Sequence, residues 1–294
     1  MVYVRVSGRA IINIHSANAE GAVGNYMGLA KMFLVRRTSE GYSVTEDVVI
    51  SGNMLKHWHA VRFVEKLKEN GYDKLCDYCK RFVMYRSTMR YSDEFDFVKA
   101  CAIEDLHGFL QPQKQVRRES LVKFSFALPV EELKAEYSAV THNRVVTTSE
   151  GRIPEEEQAM MVFKREYASG LYGFQCIYDI EYTGRSQSDP GKVLNVDERK
   201  IRAKAALLAL GNVFSGIFGA SSSRALPIIK VTEAISVVSK KPISNLTHGF
   251  FKDYIEDSIN RIHAILSSKT ISSNEIKVYV VGKKVIDAFK ACLL

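Results

Sequence analysis

The sequence lacks any long apolar run. The longest uninterrupted stretches, such as Ala205 to Leu210, are far shorter than the roughly 20 residues that a membrane-spanning helix needs. The first residues, Met1 to Arg5, alternate in polarity like a β-strand and do not resemble a secretory signal peptide. We therefore expect no membrane partner and a cytoplasmic location.

Cysteines are few and irregularly spaced. They are Cys76, Cys79, Cys101, Cys176 and Cys292. An odd number without repeating spacing argues against a secreted disulfide framework. Cys76 and Cys79 have the two-residue gap of half a zinc site, but no second pair follows and His107 is isolated. His57 and His59 point to different sides of a helix. Helix packing is the favoured role for the cysteine pair, and no cofactor or metal is expected.

Two catalytic signatures are also missing. No Gly-Lys-Ser/Thr sequence ends a phosphate-binding nucleotide loop, and no Gly-x-Ser-x-Gly elbow is present to hold a nucleophilic serine. Acidic residues cluster at Asp93-Glu94 and Glu155 to Glu157. A two-metal nuclease requires carboxylates that converge on paired ions, which the sequence does not establish. A non-enzymatic role is favoured, and nuclease activity stays the minority interpretation.

Positive charge is in excess. The 294 residues carry a formal net charge of +8, and 46% of them are hydrophobic. Such a chain can bury a sizeable core and attracts polyanions. Charge alone does not separate nucleic acid from an anionic membrane surface.

Polarity patterns predict alternating strands and helices. The predicted strands are Tyr3 to His15, Phe33 to Arg37, Val44 to Ile50, Ser120 to Leu128, Leu133 to Val145, Met160 to Arg165, Gly170 to Tyr182, Leu226 to Val238 and Ile276 to Val281. The predicted helices are Ser51 to Gly71, Asp73 to Tyr85, Ser92 to Leu106, Asp197 to Ile217, Phe250 to Leu266 and Val285 to Leu293. Ser16 to Asn25 is predicted to be an irregular loop. Apart from insertions, the order is the βαββαβ plan of ferredoxin-like and RNA-recognition domains, and we predict one α+β domain over residues 1–294.

A glycine- and serine-rich segment, Gly216 to Arg224, lies between a predicted helix and a predicted strand. Small residues allow the backbone to approach a phosphate closely and to offer amides and hydroxyls to it. Arg224 can add a bidentate phosphate contact. A helix end followed by a flexible linker explains the same composition equally well.

Two further positions suit an anion or a nucleotide. Ser51-Gly52-Asn53 begins a predicted helix, where free amides bind anions, although ordinary capping explains the same residues. His142-Asn143-Arg144 ends a predicted strand and precedes a polar projecting segment. Its side chains can meet a base, a 2′-hydroxyl or a phosphate, or His142 is an ordinary surface histidine.

These motifs occur together in a known family. The stretches that carry the resemblance are Val23 to Asn25, Val49 to Gly52, Phe214 to Gly219 and Ser223 to Pro227. On them, the chain resembles, nearly end to end, the backbone subunit of the CRISPR Cascade surveillance complex, in the type I-A, DevR-like branch of the repeat-associated mysterious proteins.

The resemblance implies a hand-shaped subunit with a ferredoxin-like (RRM-like) palm, helical fingers at residues 55–109 and a thumb hairpin at 144–163. Subunits of that family stack into a helical filament along the CRISPR guide RNA, together with other Cascade subunits. Each palm grips the RNA backbone, and a neighbour's thumb displaces nucleotides at intervals. The intervening bases pair with a target DNA strand, so that base pairing, and not the protein, reads the sequence.

The resemblance also implies which residues contact RNA. The expected contacts are Asn25, Ser51, Asn53, Arg117, His142, Arg144, Met160, Gly216, Gly219 and Arg224. Met160 or Met161 either wedges beside the displaced base or packs in the core. Ala220 to Ser222 stand where relatives carry a basic pattern, which transfers the phosphate contact to Arg224 and backbone amides. Two alternatives are a metal-dependent ribonuclease of the type III kind, for which the palm offers Glu20 and no aspartate, and a stand-alone RNA-binding regulator.

Overall fold

The computed structural model describes residues 2–145, 160–214 and 225–282, which form an α+β fold. The strands are β1 Tyr3–His15, β2 Ala19–Val23, β3 Tyr26–Leu29, β4 Lys31–Thr38, β5 Gly41–Val48, β6 Phe109–Gln111, β7 Val116–Arg118, β8 Val122–Phe124, β9 Leu128–Pro129, β10 Glu136–Val145, β11 Met160–Tyr178, β12 Ile228–Ser239 and β13 Ile276–Val281. The helices are α1 Gly52–Glu69, α2 Asp77–Lys80, α3 Glu94–Ala100, α4 Ala102–His107, α5 Val196–Phe214 and α6 Tyr254–Ser267. In this described part, no helix has the length and apolar character to cross a bilayer.

A mixed sheet organises the molecule around β1. Strand β1 pairs antiparallel with both β11 and β12, and β13 extends the sheet beyond β12. On its other side β11 pairs antiparallel with β8, β9 and β10 at different points along its length, and in parallel with β3. The predicted strand Tyr3 to His15 is confirmed, and it is central because it is buried along nearly its whole length.

Helices cover both faces of this sheet. The main apolar core joins α1 and α5 to β1 and β11, and the small residues Ala205, Ala206 and Ala209 allow α5 to lie close to α1. A second core joins α6 to β12 and β13 through residues such as Ile235 and Val237. Because successive side chains of a strand point to opposite faces, α6 packs on the face of β12 opposite to the main core.

A buried ion network fastens the inserted helices to α5. Asp105 on α4 accepts hydrogen bonds from Arg118 on β7 and from Arg202 on α5, and none of the three side chains has exposed surface. Arg118 also pairs with Glu94 on α3. Three separate segments of the chain therefore meet at one carboxylate.

The segment Ser16 to Asn25, predicted to be irregular, contributes instead to a β2–β3 hairpin. The prediction was wrong because small polar residues disfavour long strands but suit a tight hairpin. Gly24 takes a φ of 60° at the turn and Gly21 a φ of 120° within the strand, both in the region that favours glycine.

The predicted helices between 73 and 106 are shorter than expected. Asp73 to Tyr85 holds only the four-residue α2, and Ser92 to Leu106 divides into α3 and α4 at Cys101, whose backbone is extended. Phe82, Met84 and Ser87 have positive φ values of 62°, 58° and 55°. Such backbone angles in non-glycine residues end a helix and require tertiary support.

Strand boundaries also differ from the predictions. Met160 to Arg165 and the first nine residues of the predicted strand Gly170 to Tyr182 belong to the single strand β11, which ends at Tyr178, and Ile180–Tyr182 form a short 3-10 helix. Ser120 to Leu128 is divided between β8 and β9. Gly173 does not interrupt β11 because its missing side chain makes room for the backbone of Gly249. The predicted helix Val285 to Leu293 lies outside the described residues.

Candidate functional site

An open groove of about 590 Å³ lies where the end of β1 meets β10 and β11. It is lined chiefly by Ile14, Tyr137, Val140, His142, Tyr167 and Ser169. Ala225 also contributes to its wall. Ala225 directly follows the predicted phosphate-binding segment Gly216 to Arg224 in the sequence.

His142 is held among aromatic rings in the groove. It lies opposite Phe163 in the β10–β11 register, and the two rings stack with centroids 5.3 Å apart and planes 22° apart. Its Nε2 is 2.9 Å from the hydroxyl of Tyr167. Flat rings fixed by stacking and hydrogen bonding form a surface on which a nucleobase can stack.

An irregularity in β1 brings Ile14 into the same groove. The β1–β11 register shifts between Ile12 and His15, and Ile14 has a φ of 55°. The N–H of Ile14 donates to Ser169 Oγ at 2.9 Å, and its side chain is exposed. Bulges and positive φ values in non-glycine residues are common beside binding sites. Sequence patterns did not single out Ile14, because the residue fits the alternation of the predicted strand.

Asn25 connects the β2–β3 hairpin to the base of the predicted thumb. Its side-chain amide donates to the carbonyl of Val162 at 3.3 Å, and its own carbonyl accepts from the N–H of Lys164 at 2.8 Å. Nearby, Lys31 pairs with Glu166 and lies over the ring of Tyr137, 4.0 Å from its centroid. Burial opposes the charge of this lysine, but hydrogen bonds to Tyr137 and Glu166 raise the pKa of Lys31. A cation is thereby kept beside the groove.

Ser51 caps α1, as predicted. Its hydroxyl accepts from the N–H of Met54 at 3.2 Å and lies 2.5 Å from Oδ1 of Asn18. Asn53 is exposed on the first turn of α1. Neither residue lines the His142 groove. The capping function of Ser51 is therefore confirmed, while an anion contact at this helix start stays a prediction.

A basic cluster includes Arg86, Lys56 on α1 and Lys123 on β8. Burial, together with the charges of Arg86 and Lys123, lowers the pKa of Lys56 to about 8. Like charges held this close to one another favour a bound anion that relieves their repulsion. Sequence reasoning missed this cluster because its members lie more than 25 residues apart along the chain.

Arg117 lies elsewhere. It is exposed on β7 and lines a second groove of about 940 Å³, together with Asp93, Gln187 and Lys192. The structure therefore does not place Arg117 with His142.

The remaining predicted contacts lie at or beyond the limits of the described residues. Arg144 lies next to the last residue of β10, and Met160 is the first residue of β11, where it is opposite Val145. Gly216, Gly219 and Arg224 lie outside the described residues.

Proteins that are similar to this chain in sequence have consistent descriptions. A CRISPR-associated protein Cas7/Cst2/DevR of Methanocaldococcus jannaschii is 42% identical over 281 residues, covering 88% of each chain. A protein of the same description from Thermoproteus tenax is 38% identical, over 90% of this chain and 83% of the relative. CRISPR-associated protein Cas7/Csa2 1 of Saccharolobus solfataricus is 27% identical, over 98% and 97%. These matches identify the class as CRISPR-associated proteins of the Cas7 type.

The family follows from a second comparison. Residues 6–259 match the model of the family described as CRISPR-associated negative auto-regulator DevR/Csa2. The chain therefore belongs to the DevR/Csa2 family. Among solved structures, a chain of a CRISPR RNA-guided surveillance complex aligns with 99% of this chain at 12% identity and a TM-score of 0.47.

Proposed function

We propose that this protein is a non-catalytic subunit that binds a CRISPR guide RNA along its backbone and presents the guide to a target DNA strand. In this proposal it assembles with further copies of itself and with other Cascade subunits. The observation that carries the proposal is the groove at His142, which holds stacked rings and is also lined by Ala225, the residue after the segment Gly216 to Arg224. Membership of the DevR/Csa2 family and the net charge of +8 support it.

A ferredoxin-like palm is part of this proposal. Taken in chain order, β1, α1, the β8–β9 segment, β11, α5 and β12 follow a βαββαβ plan. Their strands lie in the spatial order β12, β1, β11 and then β8 with β9, and all these pairs are antiparallel. Of the fingers proposed at residues 55–109, the part that follows α1 lies outside this plan, and residues 144–163 are the proposed thumb.

The RNA path in this proposal runs through the groove. His142 and its stacked neighbours bind a base, and Asn25 fixes the β2–β3 hairpin beside the thumb. The residues proposed to complete the path are Ser51, Asn53, Arg144, Met160, Gly216, Gly219 and Arg224. Arg117 is proposed to contact RNA in the second groove, away from this path.

Replacing His142 by alanine is expected to weaken single-stranded RNA binding about tenfold, because stacking contributes roughly 1–3 kcal/mol per base. Fluorescence anisotropy with a labelled guide-length RNA measures the affinity. Titration over a series of salt concentrations is expected to show a linear fall of log affinity with log salt, since phosphate contacts release counterions.

The matched control is Tyr167→Phe, which keeps the ring and removes the hydroxyl that touches His142. If this variant keeps its RNA affinity, the loss in His142→Ala reflects lost stacking and not the lost contact between His142 and the Tyr167 hydroxyl. Salt-independent binding, or stronger binding to duplex DNA than to RNA, would contradict the proposal. Regular cleavage of a complementary RNA by the assembled complex with magnesium would instead favour a ribonuclease.

An exposed apolar face on the β4–β5 ribbon suits contact with another copy of the chain. Side chains alternate along β4, so that Leu34 and Arg36 are buried while Phe33 and Val35 point outward. Val44 lies opposite Val35, and both are exposed. Contiguous apolar surface of this kind marks interaction sites. We assign this ribbon face to the neighbouring subunit in the proposed filament.

The double substitution Val35→Glu and Val44→Glu is expected to prevent stacking on RNA while leaving the fold intact, because both side chains are already in water. Sedimentation velocity with a long RNA is expected to show several copies per RNA for the unchanged protein and one for the variant. The control is His263→Gln, at an exposed position on α6. Equal assembly by the glutamate variant would reject this interface.

A further inference from the structure

Three cysteines from distant parts of the chain converge beside α2. The sulfur atoms of Cys76, Cys79 and Cys101 all lie within 4.8 Å of one another. Cys79 and Cys101 are fully buried, and Cys76 is half-buried. Tetrahedral zinc with Zn–S bonds of about 2.3 Å places its sulfur ligands about 3.8 Å apart. A small contraction of the observed cluster meets that geometry.

A carboxylate, that of Glu104, lies on α4 about one turn after Cys101. Glu104 is fully buried, and its Oε1 accepts from the N–H of Ser87 at 2.7 Å. Its Oε2 is buried and has no hydrogen-bond partner among the described residues. The Glu104 carboxylate lies outside the group of ligand atoms that are all within 4.8 Å of one another, so it would have to move towards the sulfur atoms to complete the site. Because an unpartnered buried carboxylate oxygen is costly, this atom is suited to a cation.

A divalent cation offsets part of the charge that the ligands carry when they bind it. Three thiolates around M²⁺ leave a net charge of −1, and a bound carboxylate makes it −2. Without a cation the buried thiols keep their protons, so metal binding releases protons from the site.

We propose that Cys76, Cys79 and Cys101, completed by Glu104 Oε2, bind a thiophilic divalent cation, with zinc as the expected metal. Its role is structural. The segment between Cys79 and Cys101 has little regular structure, and three of its non-glycine residues have positive φ values. A metal bound at both ends of this segment fixes a backbone that its own propensities do not favour.

The experiment measures metal in the full-length protein purified from cells grown with added zinc. Elemental analysis is expected to find about one zinc per chain. Titration of the metal-free protein with Co²⁺ is expected to give a thiolate-to-cobalt charge-transfer band whose intensity corresponds to three thiolates, with the visible bands of tetrahedral cobalt. Cys101→Ser is expected to lose metal, and the matched control Cys176→Ser, buried on β11, to retain it.

Glu104→Gln tests the fourth ligand. It is expected to keep the three-thiolate band, change the visible cobalt bands and weaken cobalt affinity about tenfold or more. An unchanged cobalt spectrum would remove Glu104 from the site. The proposal as a whole would be overturned by zinc-free protein that gives no cobalt band, or by a disulfide within the cluster in protein purified without oxidants. The spectrum of the unsubstituted protein decides this even if Cys101→Ser does not fold.

Discussion

Replacing Asp105 by asparagine is expected to destabilise the protein by about 3–5 kcal/mol, because the substitution leaves buried positive charge uncompensated. Asp105 Oδ1 lies 2.7 Å from Nη2 of Arg118, and Oδ2 lies 2.8 Å from Nη1 of Arg202. Both oxygens also accept from the N–H of Gly184. Arg118 keeps Glu94 as a partner, whereas the ion pair that the structure describes for Arg202 is with Asp105 alone. In addition, the side-chain NH2 group of asparagine would face one of the two guanidinium groups, and neither of these groups can accept a hydrogen bond.

Urea unfolding followed by circular dichroism measures this loss. The control is Glu69→Gln, which breaks the i,i+3 pair with Lys66 on the exposed side of α1. That substitution is expected to change stability by less than about 0.5 kcal/mol. A loss below about 1 kcal/mol for Asp105→Asn would show that water or rearrangement compensates the two arginines.

Elements with a clear polarity pattern in the sequence were predictable. Tyr3 to His15 was found at its exact limits, and α1 begins directly after its predicted cap, Ser51. In contrast, α2 and the break at Cys101 were not predictable, because local propensity there is overridden by tertiary contacts such as the buried Asp105 network. The β2–β3 hairpin was missed for a related reason, since its strands are stabilised by pairing with β11 and not by their own composition.

The candidate site was only partly visible in the sequence. His142 and Asn25 were singled out, and the structure brings both to β11. Tyr167 and Ile14 were missed because the groove depends on the register between β1 and β11, whose paired residues are more than 150 positions apart. Likewise Cys101 joins Cys76 and Cys79 only through the return of the chain at α4, so spacing alone favoured a packing role for the cysteine pair.

Acidification from pH 6.5 to 4.5 is expected to reduce the free energy of unfolding by roughly 2–3 kcal/mol per pH unit. The cause is three fully buried histidines, His15, His59 and His107. Burial lowers the pKa of His15 and of His59 to about 4, and burial followed by the proximity of His59 lowers that of His107 well below its usual value.

The hydrogen bonds of the histidine pair show why it resists protonation. His59 Nε2 lies 2.9 Å from the carbonyl of Ala206, so it donates, and Nδ1 accepts from His107 Nε2 at 3.0 Å. The Nδ1 of His107 is buried without a partner among the described residues. A proton added to either ring would therefore break the contact between them or leave a buried charge without an acceptor.

The sign follows from proton linkage. Below pH 6.5 these histidines are charged in the unfolded chain. In the folded chain His15 and His59 stay neutral down to about pH 4, and His107 stays neutral well below its usual pKa. The unfolded state therefore binds more protons, and stability falls as the pH falls, by about 1.4 kcal/mol per pH unit for each proton. Burial raises the pKa of Glu104 to about 7, which acts in the opposite direction and offsets at most one of the three protons.

Urea unfolding at a series of pH values between 7.5 and 4.5, the range set by the shifted histidines, measures the slope. His15→Gln keeps a neutral group that can bond to the hydroxyl of Tyr172, which is 2.8 Å from His15 Nε2. This variant is expected to lose about 1.4 kcal/mol per pH unit of the slope. His263→Gln, at an exposed position on α6, is expected to leave the slope unchanged. If His15→Gln and the unsubstituted protein lose stability equally on acidification, water reaches the His15 ring in the folded state and burial does not keep it neutral.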